Sequence, residues 1–147
     1  MRSRLLQATG GQRVFSVVLS HGDEAMASLN DFVTSQGLGA ASFTAIGAFS
    51  QAVLGYFDWE RKTYERIQVG EQVEVASLIG DIALLDGKPV VHMHCVVALP
   101  DGETRGGHLL SAHVSPLLEV FVTADPVALE KKHDPATGLS LMDPGVN

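Results

Sequence analysis

The sequence predicts an α+β domain with a mostly antiparallel sheet and one main helix packed on it. Many short runs rich in β-branched and aromatic residues are joined by turn signals, only one segment has helical apolar spacing, and the length of 147 residues suits one domain. We found no repeat or interdomain linker. We therefore expect a single domain over residues 1–147, with a core over about 13–124 and a loosely attached tail over 125–147.

The predicted helix lies within residues 21–39. Its apolar positions recur at spacings of three and four, which gives it one apolar face: Met26, Leu29, Phe32 and Val33. Asp23 and Glu24 suit the positive N-terminal end of a helix. Gly37 can take the left-handed conformation that ends it.

The other elements are predicted to be strands that follow a loose start over the first twelve residues. Asp86-Gly87 and Pro100-Asp101-Gly102 are the clearest turn signals between them. The run over 88–99 is apolar on both faces apart from its histidines, which suggests that another subunit covers part of the sheet. The strand-like runs are residues 13–20, 41–49, 51–59, 63–69, 71–85, 88–99, 103–114 and 116–124.

Composition limits the classes of function. The net charge of −7, from 17 acidic and 10 basic residues, weighs against a large nucleic-acid-binding face. Its basic groups, Arg61-Lys62 with Arg66 and residues 131–133, are interpreted as solvated turns or helix ends. No run approaches the ~20 apolar residues of a membrane helix, and one cysteine excludes an internal disulfide. We expect a cytoplasmic protein without a membrane segment.

The stretch VVHMHCVVALPDGETRGGHLL, residues 90–110, contains the most informative pattern. His92 and His94 are two apart on a predicted strand, so their side chains share a face. A hairpin centred on Asp101 pairs positions whose numbers sum to about 202, which places His108 opposite His94 with Cβ atoms ~5 Å apart. Gly106-Gly107 indicates a bulge or a close backbone approach in the second strand.

Two interpretations of this histidine group stay open from spacing alone. The three imidazoles could bind a metal ion, or they could lie on a polar face and serve only packing and hydrogen bonding. Neutral imidazoles favour zinc or a similar divalent transition ion, and three protein ligands leave a coordination position open, as in catalytic zinc sites. Four residues are candidates for a nearby acid or base: Asp81, Glu103, His113 and Glu119. Cys95 falls on the apolar face of its strand and is predicted to be a buried, inert thiol.

The segment HMHCVVALPDGETRGGHLL closely resembles the signature block of the PPC family, the plants and prokaryotes conserved domain that AT-hook nuclear-localised proteins carry. Further segments are similar to the family's pattern and occur in its order: HGDEAMASLNDFV, FTAIGAFSQAVLGYFD, VEVASLIGDIALLDGKP and SPLLEVFV. The resemblance covers roughly residues 14–123.

This resemblance implies an α+β homotrimer of the stand-alone prokaryotic type, with His92, His94 and His108 as a candidate metal site. It also implies a DNA-binding or transcription-associated module, which could recruit partner proteins. The chain has no R-G-R-P segment, the element with which the plant proteins enter the minor groove. The alternative is a metal-dependent enzyme that acts on a small molecule through the three histidines.

Overall fold

The computed structural model describes residues 1–145, and its architecture confirms the α+β prediction. A nine-stranded sheet and one helix occupy this part of the chain. The elements are β1 Arg2–Thr9, β2 Gln12–Ser20, α1 Ala25–Gln36, β3 Ala40–Asp58, β4 Thr63–Val69, β5 Val73–Leu85, β6 Lys88–Ala98, β7 Thr104–Ala124, β8 Glu130–Asp134 and β9 Leu139–Asp143.

Four strands of the sheet close on one another. β3 lies between β5 and β7 and pairs with each of them. β6 pairs with β5 and also with β7, which closes the sheet. β2 continues the sheet beyond the C-terminal half of β7, and β1 lies outside β2. Every ladder in residues 1–145 is antiparallel except the contact of β8 with β5, as the prediction of a mostly antiparallel sheet requires.

Helix α1 begins and ends where the sequence predicts. Glu24 is the N-cap, and its carboxylate accepts a hydrogen bond of 2.7 Å from the backbone N–H of Ala27. Gly37 ends the helix in the left-handed conformation, with φ at 59°. Leu29, Phe32 and Val33 are buried, so the apolar face of the helix packs against β6 and β7.

Two pairs of predicted strands are each one long strand. β3 joins the runs predicted over 41–49 and 51–59, and β7 joins those over 103–114 and 116–124. Irregular register between β3 and β7 lets both strands bend without ending. Gly47 lies at such a point, where a Cβ atom would approach the carbonyl oxygen of Leu117 to 2.3 Å.

Residues 1–145 contain three strands that the sequence pattern did not predict. β1 forms a hairpin with β2 through Gly10 and Gly11, although every residue of β1 is exposed. Part of the predicted tail forms a hairpin of β8 and β9, which meets β5 where Leu84 pairs with Glu130. Residues 146 and 147 of the predicted tail lie outside the described residues.

The outer face of the closed sheet carries several exposed apolar side chains. Two of them, Ile79 and Phe121, lie on either side of Thr44 in one row across neighbouring strands, because Thr44 pairs with both. We call this surface the outer strip, and its members are Ile46, Ile79, Val96, Leu117 and Phe121, each 38–57% exposed. No helix within residues 1–145 is long and apolar enough to cross a membrane. The cytoplasmic location remains a prediction.

Candidate metal centre

The hairpin of β6 and β7 brings the three predicted histidines together. His94 and His108 are cross-strand partners, and the register from Ala98 to His94 has no shift at the glycine pair. One ring nitrogen from each of His92, His94 and His108 can be chosen so that all three lie within 4.8 Å of one another. The structure thus confirms the predicted convergence on one face of the sheet.

The rings of the cluster pack closely. The centroid of His108 lies 5.1 Å from that of His92 in a stacked arrangement, and His94 meets both rings edge-on. Tyr64 of β4 stacks on the other side of His108 at 4.7 Å. His108 is therefore held between an aromatic ring and an imidazole, which limits its rotation.

Two glycines allow this close packing. Gly55 pairs with His108 in the ladder of β3 and β7, and a Cβ atom on it would come within 2.7 Å of the Tyr64 ring. A Cβ atom on Gly107 would come within 2.7 Å of the carbonyl oxygen of Gly55. Of the two explanations for Gly106-Gly107, the structure supports the close backbone approach, since the β6–β7 register is regular.

Asp81 orients the cluster from the neighbouring strand. It lies directly opposite His92 in the β5–β6 ladder and contacts the Nδ1 atom of His92 at 2.9 Å. This contact directs the Nε2 atom of His92 away from the carboxylate. A carboxylate behind a ligating imidazole fixes its tautomer and raises its basicity. Of the four candidate acids and bases, Asp81 is therefore the one that contacts the cluster.

Lys131 of β8 provides the counter-ion of Asp81. Its Nζ atom lies 2.7 Å from the second carboxylate oxygen, and its side chain is only 7% exposed. Burial raises the pKa of Asp81, but the hydrogen bonds and charges of Lys131 and His92 outweigh this and leave the pKa below its usual value. The interpretation of Lys131 as a solvated basic residue was wrong, because the sequence does not show which carboxylate the tail meets.

Burial also keeps His94 and His108 neutral. It lowers the pKa of His108 to about 4, with a further contribution from repulsion by the other two histidines and Lys131. Burial and repulsion from His92 lower the pKa of His94 as well, although Asp81 acts in the opposite direction. At pH 7 His94 and His108 therefore have free lone pairs and need not lose a proton to bind a cation.

The residues present fit a transition metal ion. The Nδ1 atom of His108 is buried and has no hydrogen-bond partner among residues 1–145, which is costly unless another group, such as a metal ion, occupies that nitrogen. Nitrogens that share one tetrahedral ion are about 3.4 Å apart for bond lengths of ~2.0–2.1 Å. The nitrogens of the cluster lie within 4.8 Å of one another, so the three rings would have to approach one another to share such an ion.

The remaining sequence candidates lie away from the cluster. Glu103 and Glu119 are exposed, and His113 forms a backbone bridge with Glu24 beside the helix. Cys95 is buried as predicted, and burial raises its pKa to about 11, which disfavours the reactive thiolate. A separate cavity of 570 Å³ lies between the end of the helix and residues 125–128 and is lined by no histidine. Its Arg13 donates to the carbonyl of Gln36.

The fold and the site define a class: small α+β proteins with a closed antiparallel sheet, one helix and three histidines on one hairpin. The profile of the Plants and Prokaryotes Conserved (PCC) domain matches residues 6–125. The chain therefore belongs to this family, the PPC family whose signature block it resembles.

Solved structures agree with this assignment. A metal-containing protein from Archaeoglobus fulgidus is 38% identical, with a TM-score of 0.81 over 88% of this chain and 91% of that one. A PPC protein from Pyrococcus horikoshii is 30% identical, with a TM-score of 0.84 over 93% and 97%. A Ralstonia eutropha protein named "Putative DNA-binding protein" is 32% identical, with a TM-score of 0.82 over 88% and 90%.

A longer curated protein also matches. The bifunctional protein GlmU of a Synechococcus strain is 33% identical over 133 residues, which are 88% of this chain. The chain spans only 20% of that protein's length.

Proposed function

We propose that this protein is a metal-binding PCC protein in which His92, His94 and His108 hold zinc or a similar divalent transition ion. The convergence of three imidazole nitrogens within 4.8 Å carries the proposal. The buried, unpartnered nitrogen of His108 and the carboxylate behind His92 support it. The solved relative from Archaeoglobus fulgidus, described as metal-containing, is consistent with it.

The site has the composition of a catalytic metal centre for a small molecule. A divalent ion with three histidine ligands supplies a Lewis acid and an open coordination position. Asp81 holds the proton at Nδ1 of His92 and keeps that ring in one orientation. Tyr64 covers one face of the His108 ring, and burial raises the pKa of its hydroxyl.

Elemental analysis of purified protein tests this function. We expect one zinc or similar ion per chain after metal-supplemented purification, and loss of that ion in His94→Ala and His108→Ala with the fold intact by circular dichroism. His113→Ala is the matched control, since His113 is exposed and outside the cluster. Metal-free wild-type protein with intact histidines would contradict the proposal.

We also propose that the chain is a single domain that assembles as a homotrimer. The outer strip exposes apolar side chains on all four strands of the closed sheet. Contact between copies of the chain would bury these apolar side chains, and removing apolar surface from water stabilises an assembly. Since Ile79 pairs with His94 in the β5–β6 ladder, the outer strip adjoins the histidine cluster.

A DNA-associated role is the second candidate. The name of the Ralstonia eutropha relative favours it. The charge opposes it, because three chains at −7 give −21, a field that repels DNA. Titration of labelled duplex DNA at about 50 mM salt tests whether the protein binds DNA, since electrostatic binding is strongest at low salt. Absence of binding there would exclude autonomous DNA binding.

A further inference from the structure

A second cavity lies between the C-terminal hairpin and the histidine cluster. It has a volume of 290 Å³. Its wall is mainly aliphatic and comes from three separate parts of the sheet: Leu85 of β5, Val90 of β6, and Leu139 and Leu141 of β9. The hairpin that the sequence pattern did not predict therefore forms one side of this cavity.

One end of the cavity is polar. His92, His108 and Lys131 line it there, and Tyr64 contributes the ring that stacks on His108. The ion pair of Lys131 with Asp81 is electrically neutral, so a divalent ion at the histidines would leave this end with a net positive charge. An anionic group is the complementary partner for such an end.

The volume sets the size of a ligand. At roughly 30 Å³ for each non-hydrogen atom, taken from the volume of a water molecule, 290 Å³ holds about ten such atoms. A positive end and an aliphatic wall together select a molecule with one charged head and a short hydrocarbon body.

We propose that this cavity binds a short-chain monocarboxylate, with its carboxylate at the histidine end and its hydrocarbon chain against the wall that the hairpin supplies. This inference rests on the proposed metal function and adds the ligand class. It also assigns Leu139 and Leu141 as residues that determine ligand selectivity.

Calorimetric titration of the zinc-loaded protein tests the ligand class. Hexanoate, acetate and hexan-1-ol are the probes. Each methylene group buried in an apolar site raises affinity about fourfold, so we expect hexanoate to bind at least tenfold more tightly than acetate. We expect hexan-1-ol, which has the chain without the charge, to bind at least tenfold more weakly than hexanoate.

A matched pair of variants tests the position of the chain. Leu141 lines the cavity and is 45% exposed, and its neighbour Met142 lies outside the lining and is 39% exposed. We expect Leu141→Ser to lower the affinity for hexanoate three- to tenfold, with zinc content and acetate affinity unchanged. Met142→Ser should leave all three unchanged.

The outcomes separate this inference from the proposed function. Stoichiometric zinc with equal affinities for hexanoate and acetate, or for hexanoate and hexan-1-ol, overturns the ligand class alone. Equal effects of Leu141→Ser and Met142→Ser overturn the assignment of the wall. Protein that binds no zinc contradicts the proposed metal function, and the carboxylate proposal fails with it.

Discussion

Asp81 shows how one backbone register positions a functional contact. Its partner in the β5–β6 ladder is His92, so the two side chains emerge side by side on the outer face. The carboxylate is 35% exposed on its side chain and binds both His92 and Lys131. One of its oxygens therefore contacts the His92 ring while the other contacts Lys131 of the C-terminal hairpin.

We expect Asp81→Asn to lower zinc affinity 10- to 100-fold, because an amide cannot supply the negative charge that supports the His92 ring. Competition with a chromophoric chelator measures this. Glu74→Gln is the control, since Glu74 is an exposed carboxylate on the same strand away from the cluster. Equal zinc affinities of Asp81→Asn and wild type would show that Asp81 does not orient a ligand.

His108 predicts a pH dependence of stability in metal-free protein. Its folded-state pKa of about 4 lies below the ordinary 6.5, so the unfolded chain takes up a proton on this residue first as the pH falls. The free energy of unfolding should therefore decrease between pH 6.5 and about 4. Urea denaturation across this range measures the slope, and His108→Gln should reduce it. An unchanged slope in the variant would contradict the assignment.

The C-terminal hairpin is the element whose role the structure changes most. It is attached to the sheet through the pairing of Leu84 with Glu130 and through the buried side chain of Lys131. Lys132, the next residue, is exposed and pairs with Asp143 within the hairpin. Two adjacent lysines thus have different partners, and only one of them reaches the histidine site.

We expect Lys131→Met to destabilise the protein by about 1–3 kcal/mol, less than a fully buried pair because Asp81 is partly solvated. Hydrogen exchange should also become faster over residues 130–143. Lys132→Met is the matched control and should change neither quantity, because its ion pair is at the surface. Equal exchange rates in the two variants would show that the buried ion pair does not anchor the hairpin.

At the scale of the whole molecule, the proposed assembly rests on the outer strip. Exposed apolar residues are ordinary when scattered, but here Ile79 and Phe121 lie on either side of Thr44 in one row of the sheet, and Ile46 is two residues further along β3. Residues in a continuous patch can be buried together by another copy, and the cluster next to them would then lie close to the boundary between copies.

Phe121→Lys should convert the proposed trimer into smaller species, because a buried unpaired charge is costly at an apolar contact. Light scattering coupled to size exclusion measures the mass, and we expect wild type at three times the mass of one chain. Val127→Lys is the control, since Val127 is 74% exposed and outside the outer strip. A wild-type monomer would contradict the assembly, and a trimeric Phe121→Lys would place the contact elsewhere.

Local patterns were sufficient to predict the helix, most of the strands and the histidine cluster. Apolar spacing and Gly37 mark the helix, because its ends depend on neighbours in sequence. The turn at Asp101 and the alternation of side chains place His94 opposite His108, because hairpin register depends on a few consecutive residues. These features were predictable because they depend on residues that are close together in the sequence.

Long-range contacts account for what the sequence did not reveal. Asp81 was one of four candidates, and the pairing of β5 with β6 singles it out. In the sequence, Lys131 resembles any charged tail residue. Its burial depends on contact with Asp81, which lies 50 positions earlier in the chain. β1 has no buried residue and therefore no periodic signal. The spacing of residues along the sequence predicts which side chains lie together on one hairpin. The packing of strands that are distant in sequence determines which other side chains surround them.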